Sequence, residues 1–250
     1  MSVSLMPPLL GGSGTFSVTT WNIRSARRSG LAAAAKGLHQ MGVGCCVLTE
    51  TKLTDDRYSK TTSGYCMISS KATSPQQGGV ALLWEEGHQD FEVEAVTIVS
   101  PNLLTFQLVI VEGREERYFV MGAYIPPGDT KGVDDLHTAW AACPTNCKPL
   151  MLGDFNIDFR NPRTEREEII TEFLDKINVV DTSRKFIQCK GRRQGPGARW
   201  TWRQRRGEGG TTPSQIILWP GRWTRRHFGV WAIDSRGSTI RTIMLLLPIL

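Results

Sequence analysis

The sequence lacks the long hydrophobic run that a membrane-spanning helix needs. The apolar segment at residues 243–250 is far shorter than the roughly 20 residues required to cross a bilayer. Residues 1–14 contain no basic region ahead of an unbroken apolar stretch, so we expect no signal peptide. Internal repeats are also absent. We therefore expect a disordered tail over residues 1–14 and one domain over residues 15–250, without membrane contact.

Paired cysteine spacing is also missing. The sequence contains six cysteines but no C-x-x-C pair, which argues against a zinc site and against a disulfide framework. We interpret them as reduced thiols of an intracellular protein. They are Cys45, Cys46, Cys66, Cys143, Cys147 and Cys189.

Acidic residues are scarce in the last quarter of the chain. Residues 1–183 hold 16 Lys and Arg against 22 Asp and Glu, a balance of −6. Residues 184–250 hold 14 Lys and Arg against Glu208 and Asp234 alone, a balance of +12. An acidic body with a basic end indicates a polyanionic partner.

Short apolar segments with few helices predict two β-sheets packed face to face with helices outside. The predicted strands cover residues 16–24, 43–48, 64–69, 79–84, 91–99, 103–111, 117–124 and 149–152. Helical spacing of apolar residues predicts helices over 31–41, 133–142 and 164–177. Since a helix separates the first two strands, we expect these strands to pair in parallel or in a mixed sheet.

Polar residues with catalytic potential follow one of these strands directly. Gly153 ends the run, and Asp154 and Asn156 come next, two residues apart and so on one face. A carboxylate can orient or deprotonate a water, and an amide can donate to an oxygen that gains charge, which suits phosphate-ester chemistry. The alternative is an ordinary turn, where all three residue types are common.

Two further polar residues lie near strand ends in the same way. Asn22 is close to the end of the first predicted strand, and Glu50 follows the second. Taken singly, each fits a capping residue or a solvated strand end. In a layered fold, however, such ends converge on one rim, where binding sites gather.

Five motifs in this order resemble the endonuclease/exonuclease/phosphatase superfamily, and most of all the apurinic-type endonuclease domain of LINE-type non-LTR retrotransposons. The resemblance covers residues 15–245. The motifs are Trp21-Asn22, Thr49-Glu50-Thr51, Tyr124 with Pro126 and Pro127 shortly after it, Gly153-Asp154-Phe155-Asn156 and Trp200-Thr201-Trp202.

The resemblance implies a four-layer α/β sandwich of the DNase I-like kind that hydrolyses DNA phosphodiesters with Mg²⁺, or with Mn²⁺ in its place. Glu50 would be the metal ligand, and Asn22 would help to hold the metal and the phosphate. Tyr124 would contact the scissile phosphate. Asp154 would orient or activate the attacking water, and Asn156 would stabilise the developing charge.

The basic end fits a duplex DNA target. Between Arg184 and Arg206 there are nine Lys and Arg and no acid, and such a strip neutralises phosphates while aromatic side chains stack on bases. The alternative is a solvated basic loop with both tryptophans in the core. The candidate DNA-binding residues are Arg192, Arg193, Arg199, Trp200, Trp202, Arg203, Arg205 and Arg206.

Two motifs of the resembled family are broken near the end of the chain. A family Ser-x-x-Asp-Tyr strand is replaced by 214–219 (SQIILW), and a final Ser-Asp-His by Ser238-Thr239-Ile240. The second change is what a one-base deletion produces, because TCN-GAC-CAT-C without its third base reads TCG-ACC-ATC. His227 and Asp234 are candidate substitutes, although nothing in their spacing places them at the missing positions.

We therefore predict a Mg²⁺-dependent DNA endonuclease domain of retrotransposon origin, detached from its reverse transcriptase, with impaired turnover and a nuclear location. No small-molecule cofactor is expected, and the oligomeric state is left open. The alternatives are a catalytically inactive nucleic-acid-binding remnant and a phosphoesterase that acts on phosphoinositides or small phosphate esters.

Overall fold

The computed structural model describes residues 18–27, 29–61, 63–111, 115–157, 162–177 and 179–181, together with three short strands near the C-terminal end. Side chains are described up to residue 177. The predicted tail at 1–14, Cys189 and the broken motifs at 214–219 and 238–240 lie outside these residues.

Strands and helices alternate irregularly along the chain. In order they are β1 (Val18–Asn22), α1 (Gly30–Gln40), β2 (Cys45–Thr49), β3 (Arg57–Lys60), β4 (Tyr65–Ser69), β5 (Val80–Glu85), β6 (Phe91–Ser100), β7 (Leu103–Ile110), β8 (Glu116–Tyr124), α2 (Lys131–Ala141), β9 (Lys148–Asp154), α3 (Glu165–Lys176), β10 (Val179–Asp181), β11 (Trp202–Gln204), β12 (Thr211–Pro213) and β13 (Leu246–Pro248).

The strands form two larger mixed sheets. The first has the order β1-β2-β5-β4-β3 and the second β6-β7-β8-β9. Each contains one parallel pair, β1 with β2 and β8 with β9, while the other pairs are antiparallel. Each parallel pair is joined through a helix, α1 or α2, because parallel neighbours need a long crossover. Among the short strands, β10 pairs with β13 and β11 with β12, both antiparallel.

Three apolar layers hold the two sheets and the helices together. The central layer lies between the sheets and joins Val47 and Leu82 of the first sheet to Phe106 and Leu152 of the second. One outer layer packs α1 on the first sheet, and the other packs α2 and α3 on the second. The predicted four-layer α/β sandwich is therefore confirmed.

The continuous apolar runs in the sequence follow from this layering. In β2, Cys45 and Val47 face the central layer while Cys46 and Leu48 face α1, so both faces of the strand are buried. A strand buried on both faces needs no polar alternation. The run at 149–152 has the same cause in β9.

Within the two larger sheets, β3 is the strand that was not predicted from the sequence. β3 is paired only through β4 at the edge of the first sheet, and its residues are mostly exposed. Tyr58 is 63% exposed and Lys60 forms an ion pair with Glu86. Because an exposed edge strand buries no face, it carries no apolar pattern that sequence reading could detect.

Candidate active site

The two parallel strand pairs bring the predicted site residues to one rim. Asn22 at the end of β1 is opposite Thr49 at the end of β2, and Glu50 follows. In the other sheet, Tyr124 is opposite Asp154. Parallel strands end at the same edge, so residues more than 130 positions apart in the sequence can meet in space.

Asn22 joins the two sheets at this rim. Its Nδ2 donates to Glu50 Oε1 at 2.7 Å and to Asp154 Oδ2 at 2.8 Å. The two carboxylate oxygens are therefore no more than 5.5 Å apart, the limit set by these two bonds. Its Oδ1 accepts from the backbone N–H of Arg24 at 3.1 Å, which fixes the orientation of the amide. In this conformation Asn22 turns its donor, rather than its oxygen, toward the carboxylates.

The backbone around these residues has an unusual conformation. Among the described residues, five that are not glycine have a positive φ, and four of them surround the site: Arg24 (58°), Glu50 (53°), Lys52 (56°) and Asn156 (49°). The fifth, Ala95, lies at a bulge of β6. Left-handed backbone at such residues costs about 1–3 kcal/mol each and persists only where the surrounding structure enforces it, which is common at functional sites.

Tyr124 is buried beside both carboxylates, with 4% of its surface exposed. Its hydroxyl interacts with Glu50 and with the amide of Gln77. Burial, reinforced by the negative charges of Glu50 and Asp154, raises the pKa of Tyr124 well above its ordinary value of 10.0. The phenol therefore remains protonated at neutral pH and can donate a hydrogen bond to an anionic ligand.

Asp154 ends β9 and Asn156 follows it two residues later, and hydrogen bonds to backbone groups hold both. Asp154 is 4% exposed, and its Oδ1 accepts from the backbone N–H of Asn156 at 3.2 Å. The Asn156 Nδ2 donates to the carbonyl of Ile125 at 3.1 Å. Gly153 permits this approach, because a Cβ there would overlap the carbonyl oxygen of Ala123 in β8.

The oxygen ligands present here fit a hard divalent cation. Mg²⁺ takes one or two carboxylates and completes its shell with water and substrate oxygens. Glu50 and Asp154 place two carboxylate oxygens within 5.5 Å of each other, with the Asn22 amide nitrogen between them. Among the residues that the structure describes, no group of three His, Cys, Asp or Glu side chains could hold a metal alone.

Two residues of this site were not predicted from the sequence. The Lys52 ammonium lies 3.5 Å from Glu50 Oε2 and offsets part of the negative charge. Gln77 reaches Tyr124 from the loop between β4 and β5. A lysine after a strand and a glutamine in a polar loop carry no distinctive pattern, so only the fold reveals their proximity.

The structure leaves the predicted DNA-binding residues untested. Trp202 and Arg203 belong to β11, where only the backbone is described. The other six lie outside the described residues and stay predictions: Arg192, Arg193, Arg199, Trp200, Arg205 and Arg206.

In the described part of the chain, no helix has the length and apolar character needed to span a membrane.

Comparisons with known proteins give distant structural matches. No family model and no curated protein matches the chain. Among solved structures, the human Nocturnin catalytic domain with bound sulfate is 16% identical, over 72% of this chain and 75% of that one, with a TM-score of 0.47.

Two bacterial structures match at a comparable level. A functionally unknown conserved protein from Enterococcus faecalis V583 is 13% identical, covering 67% of this chain and 74% of that one, with a TM-score of 0.47. An endonuclease/exonuclease/phosphatase from Beutenbergia cavernae DSM 12333 is also 13% identical, covering 72% and 60%, with a TM-score of 0.45. Because these scores are below 0.5, the architecture rests on the strand pairing and the function on the site itself.

Proposed function

We propose that this chain is a divalent-metal-dependent phosphodiesterase of the endonuclease/exonuclease/phosphatase type, of retrotransposon origin, whose substrate is DNA. The observation that carries the proposal is the convergence of Asn22, Glu50, Tyr124, Asp154 and Asn156 on one rim, with Asn22 donating to both acids. These side chains supply carboxylates for a metal, a base for water, and donors for a phosphate.

Each residue has a role that its contacts support. Glu50 would hold Mg²⁺, and that ion would polarise the phosphate and stabilise its charge. Asn22 keeps the two carboxylates together and would hold the metal by its oxygen only after its amide turned over. Asp154 is placed to accept a proton from water or to orient it. Tyr124 and Asn156 are placed to donate to phosphate oxygens.

The proposed reaction is impaired in this chain. The family's Asp and His near the C-terminal end are absent from the sequence, and a positioned acid or base contributes about 10²–10⁴ in rate. Groups that act as a unit do not add, so the loss of both members costs little more than the loss of one. We therefore expect slow Mg²⁺-dependent cleavage.

DNA is the proposed ligand because of charge and length. Residues 184–250 carry a balance of +12, and the strip from Arg184 to Arg206 contains two tryptophans. A long basic strip with aromatic residues suits an extended nucleic acid better than a single head group.

Nicking of supercoiled plasmid tests the proposal. The chain should nick plasmid slowly with Mg²⁺ and not with EDTA, and Asp154→Asn should abolish the activity. Asp175→Asn is the matched control, because it makes the same change at an exposed position of α3. Nicking by the chain that persists undiminished in Asp154→Asn would refute the assignment.

Three further observations separate the alternatives. Binding of DNA without any nicking would favour the inactive remnant. Stronger competition by a soluble inositol phosphate than by duplex DNA would favour the phosphoesterase. A reverse transcriptase frame in the genomic flank would support the retrotransposon origin.

A further inference from the structure

Arg166 is a charged side chain in an unusual place. It lies in the first turn of α3 with only 7% of its surface exposed. Arginine is seldom buried to this extent unless its donors are matched by acceptors. A buried guanidinium loses its hydration, and burial lowers the pKa of Arg166 from its ordinary value.

The acceptors are four backbone carbonyls. The guanidinium donates to the oxygens of Phe155 at 2.9 Å, Ile125 at 3.1 Å, Asp129 at 3.2 Å and Asn156 at 3.4 Å. Two of these residues follow β8 and two follow β9. The Arg166 side chain thus bonds to both segments that leave the second sheet at the site, one after β8 and one after β9.

These segments carry the proposed phosphate donors. Ile125 is the next residue after Tyr124, and its N–H donates to the carbonyl of Asp154 at 2.9 Å. Its own carbonyl accepts from both Arg166 and the Asn156 side chain. Asn156 also has a left-handed backbone, which the bond from Arg166 to its carbonyl helps to hold.

We propose that Arg166 is a positioning residue that fixes Tyr124 and Asn156 relative to each other around the phosphate. The link to a phosphate rests on the proposed function, whereas the effect of Arg166 on the position of Tyr124 and Asn156 does not depend on any activity. A planar guanidinium can span four carbonyls, whereas the compact ammonium of a lysine cannot. The simpler alternative is that Arg166 only anchors α3.

Fluorine NMR distinguishes these two roles without requiring catalysis. The full chain is labelled with 3-fluorotyrosine, and the signal of Tyr124, one of four tyrosines, is assigned with Tyr124→Phe. Arg166→Lys retains the charge but not the planar fork. Arg117→Lys is the matched control, because Arg117 bonds to Glu94 and Gln107 from the opposite end of β8.

We expect Arg166→Lys to move the Tyr124 signal and Arg117→Lys to leave it in place. Added Mg²⁺ should shift the Tyr124 signal in the parent chain, because the phenol interacts with the proposed metal ligand Glu50. In Arg166→Ala, added guanidinium should restore the parent signal.

Several results would overturn the positioning role. These are an unchanged Tyr124 signal in both Arg166 variants, an equal movement in Arg117→Lys, or loss of folding in both Arg166 variants. If the parent signal shows no response to Mg²⁺, the proposed metal site fails instead, and the signal movement still decides the role of Arg166.

Discussion

Replacing Asn22 with alanine tests the central contact of the site through stability alone. The substitution removes two donors to charged oxygens, at 2.7 and 2.8 Å. A hydrogen bond to a charged group contributes about 1.5–3 kcal/mol. Both acids retain another partner, since Glu50 lies near Lys52 and Asp154 accepts from Asn156, so the lower part of this range applies.

The two bonds also offset repulsion between the acids, which is present in the parent chain as well and therefore adds no separate cost. Their oxygens lie within 5.5 Å of each other, as the two Asn22 bonds require. Two charges about 5 Å apart repel by about 3 kcal/mol at an effective dielectric constant of about 20. Relaxation of the exposed part of Glu50 relieves some of this repulsion. We therefore expect Asn22→Ala to lower the free energy of unfolding by about 2–4 kcal/mol in the absence of divalent cations.

Urea unfolding at neutral pH with EDTA measures this difference. Asn146→Ala is the matched control, because Asn146 is exposed and its side chain accepts from the Cys147 thiol at a distance of 3.7 Å. The control should change the stability by less than about 0.5 kcal/mol. A similarly small change in Asn22→Ala would show that the bonds across the two sheets do not hold the acids together.

Three further predictions concern other parts of the site and core. Because the pKa of Tyr124 is raised, the unfolded chain loses this proton near pH 10 while the folded chain keeps it. The contribution of Tyr124 to stability is therefore constant below about pH 10 and falls above it. The free energy of unfolding, measured in urea between about pH 8 and 11, should therefore fall less steeply with pH in Tyr124→Phe than in the parent chain. The difference should be at most about 1.4 kcal/mol per pH unit, which corresponds to one proton. Gly153→Ala should cost more than about 3 kcal/mol or prevent folding, measured by thermal unfolding, because its Cβ meets the Ala123 carbonyl. Burial raises the pKa of the Cys143 thiol to about 11 and raises that of the Cys45 thiol further. A thiol reagent should therefore label Cys143 faster than Cys45, and equal labelling rates would contradict this burial.

Much of the fold could be predicted because most strands of the two larger sheets are buried on both faces. Their runs of apolar residues are visible in the sequence, and so are the polar residues that end them. Asn22, Glu50 and Asp154 were identified for this reason. Their meeting could only be expected, since it depends on how two sheets pack, and the structure supplies that contact through one amide.

Other site residues escaped prediction for definite physical reasons. Arg166 occupies the buried face of α3, four residues before Ile170, yet a charge at that spacing ordinarily indicates an exposed face. Conversely, Ile169 of the same helix is apolar and yet 41% exposed. The position of Gln77 depends on the next two residues, Gly78 and Gly79. Their φ values of 90° and 86° turn the loop back toward Tyr124.

Restoring the missing motifs tests the account most directly. Insertion of Asp-Tyr after Ile216 combined with Thr239→Asp and Ile240→His should give a chain that nicks plasmid rapidly with Mg²⁺, while either repair alone should not. Glu50→Gln in the repaired chain should abolish the gain. If the fully repaired chain binds DNA but remains inert, Asn22, Glu50, Tyr124, Asp154 and Asn156 are not a phosphodiesterase site.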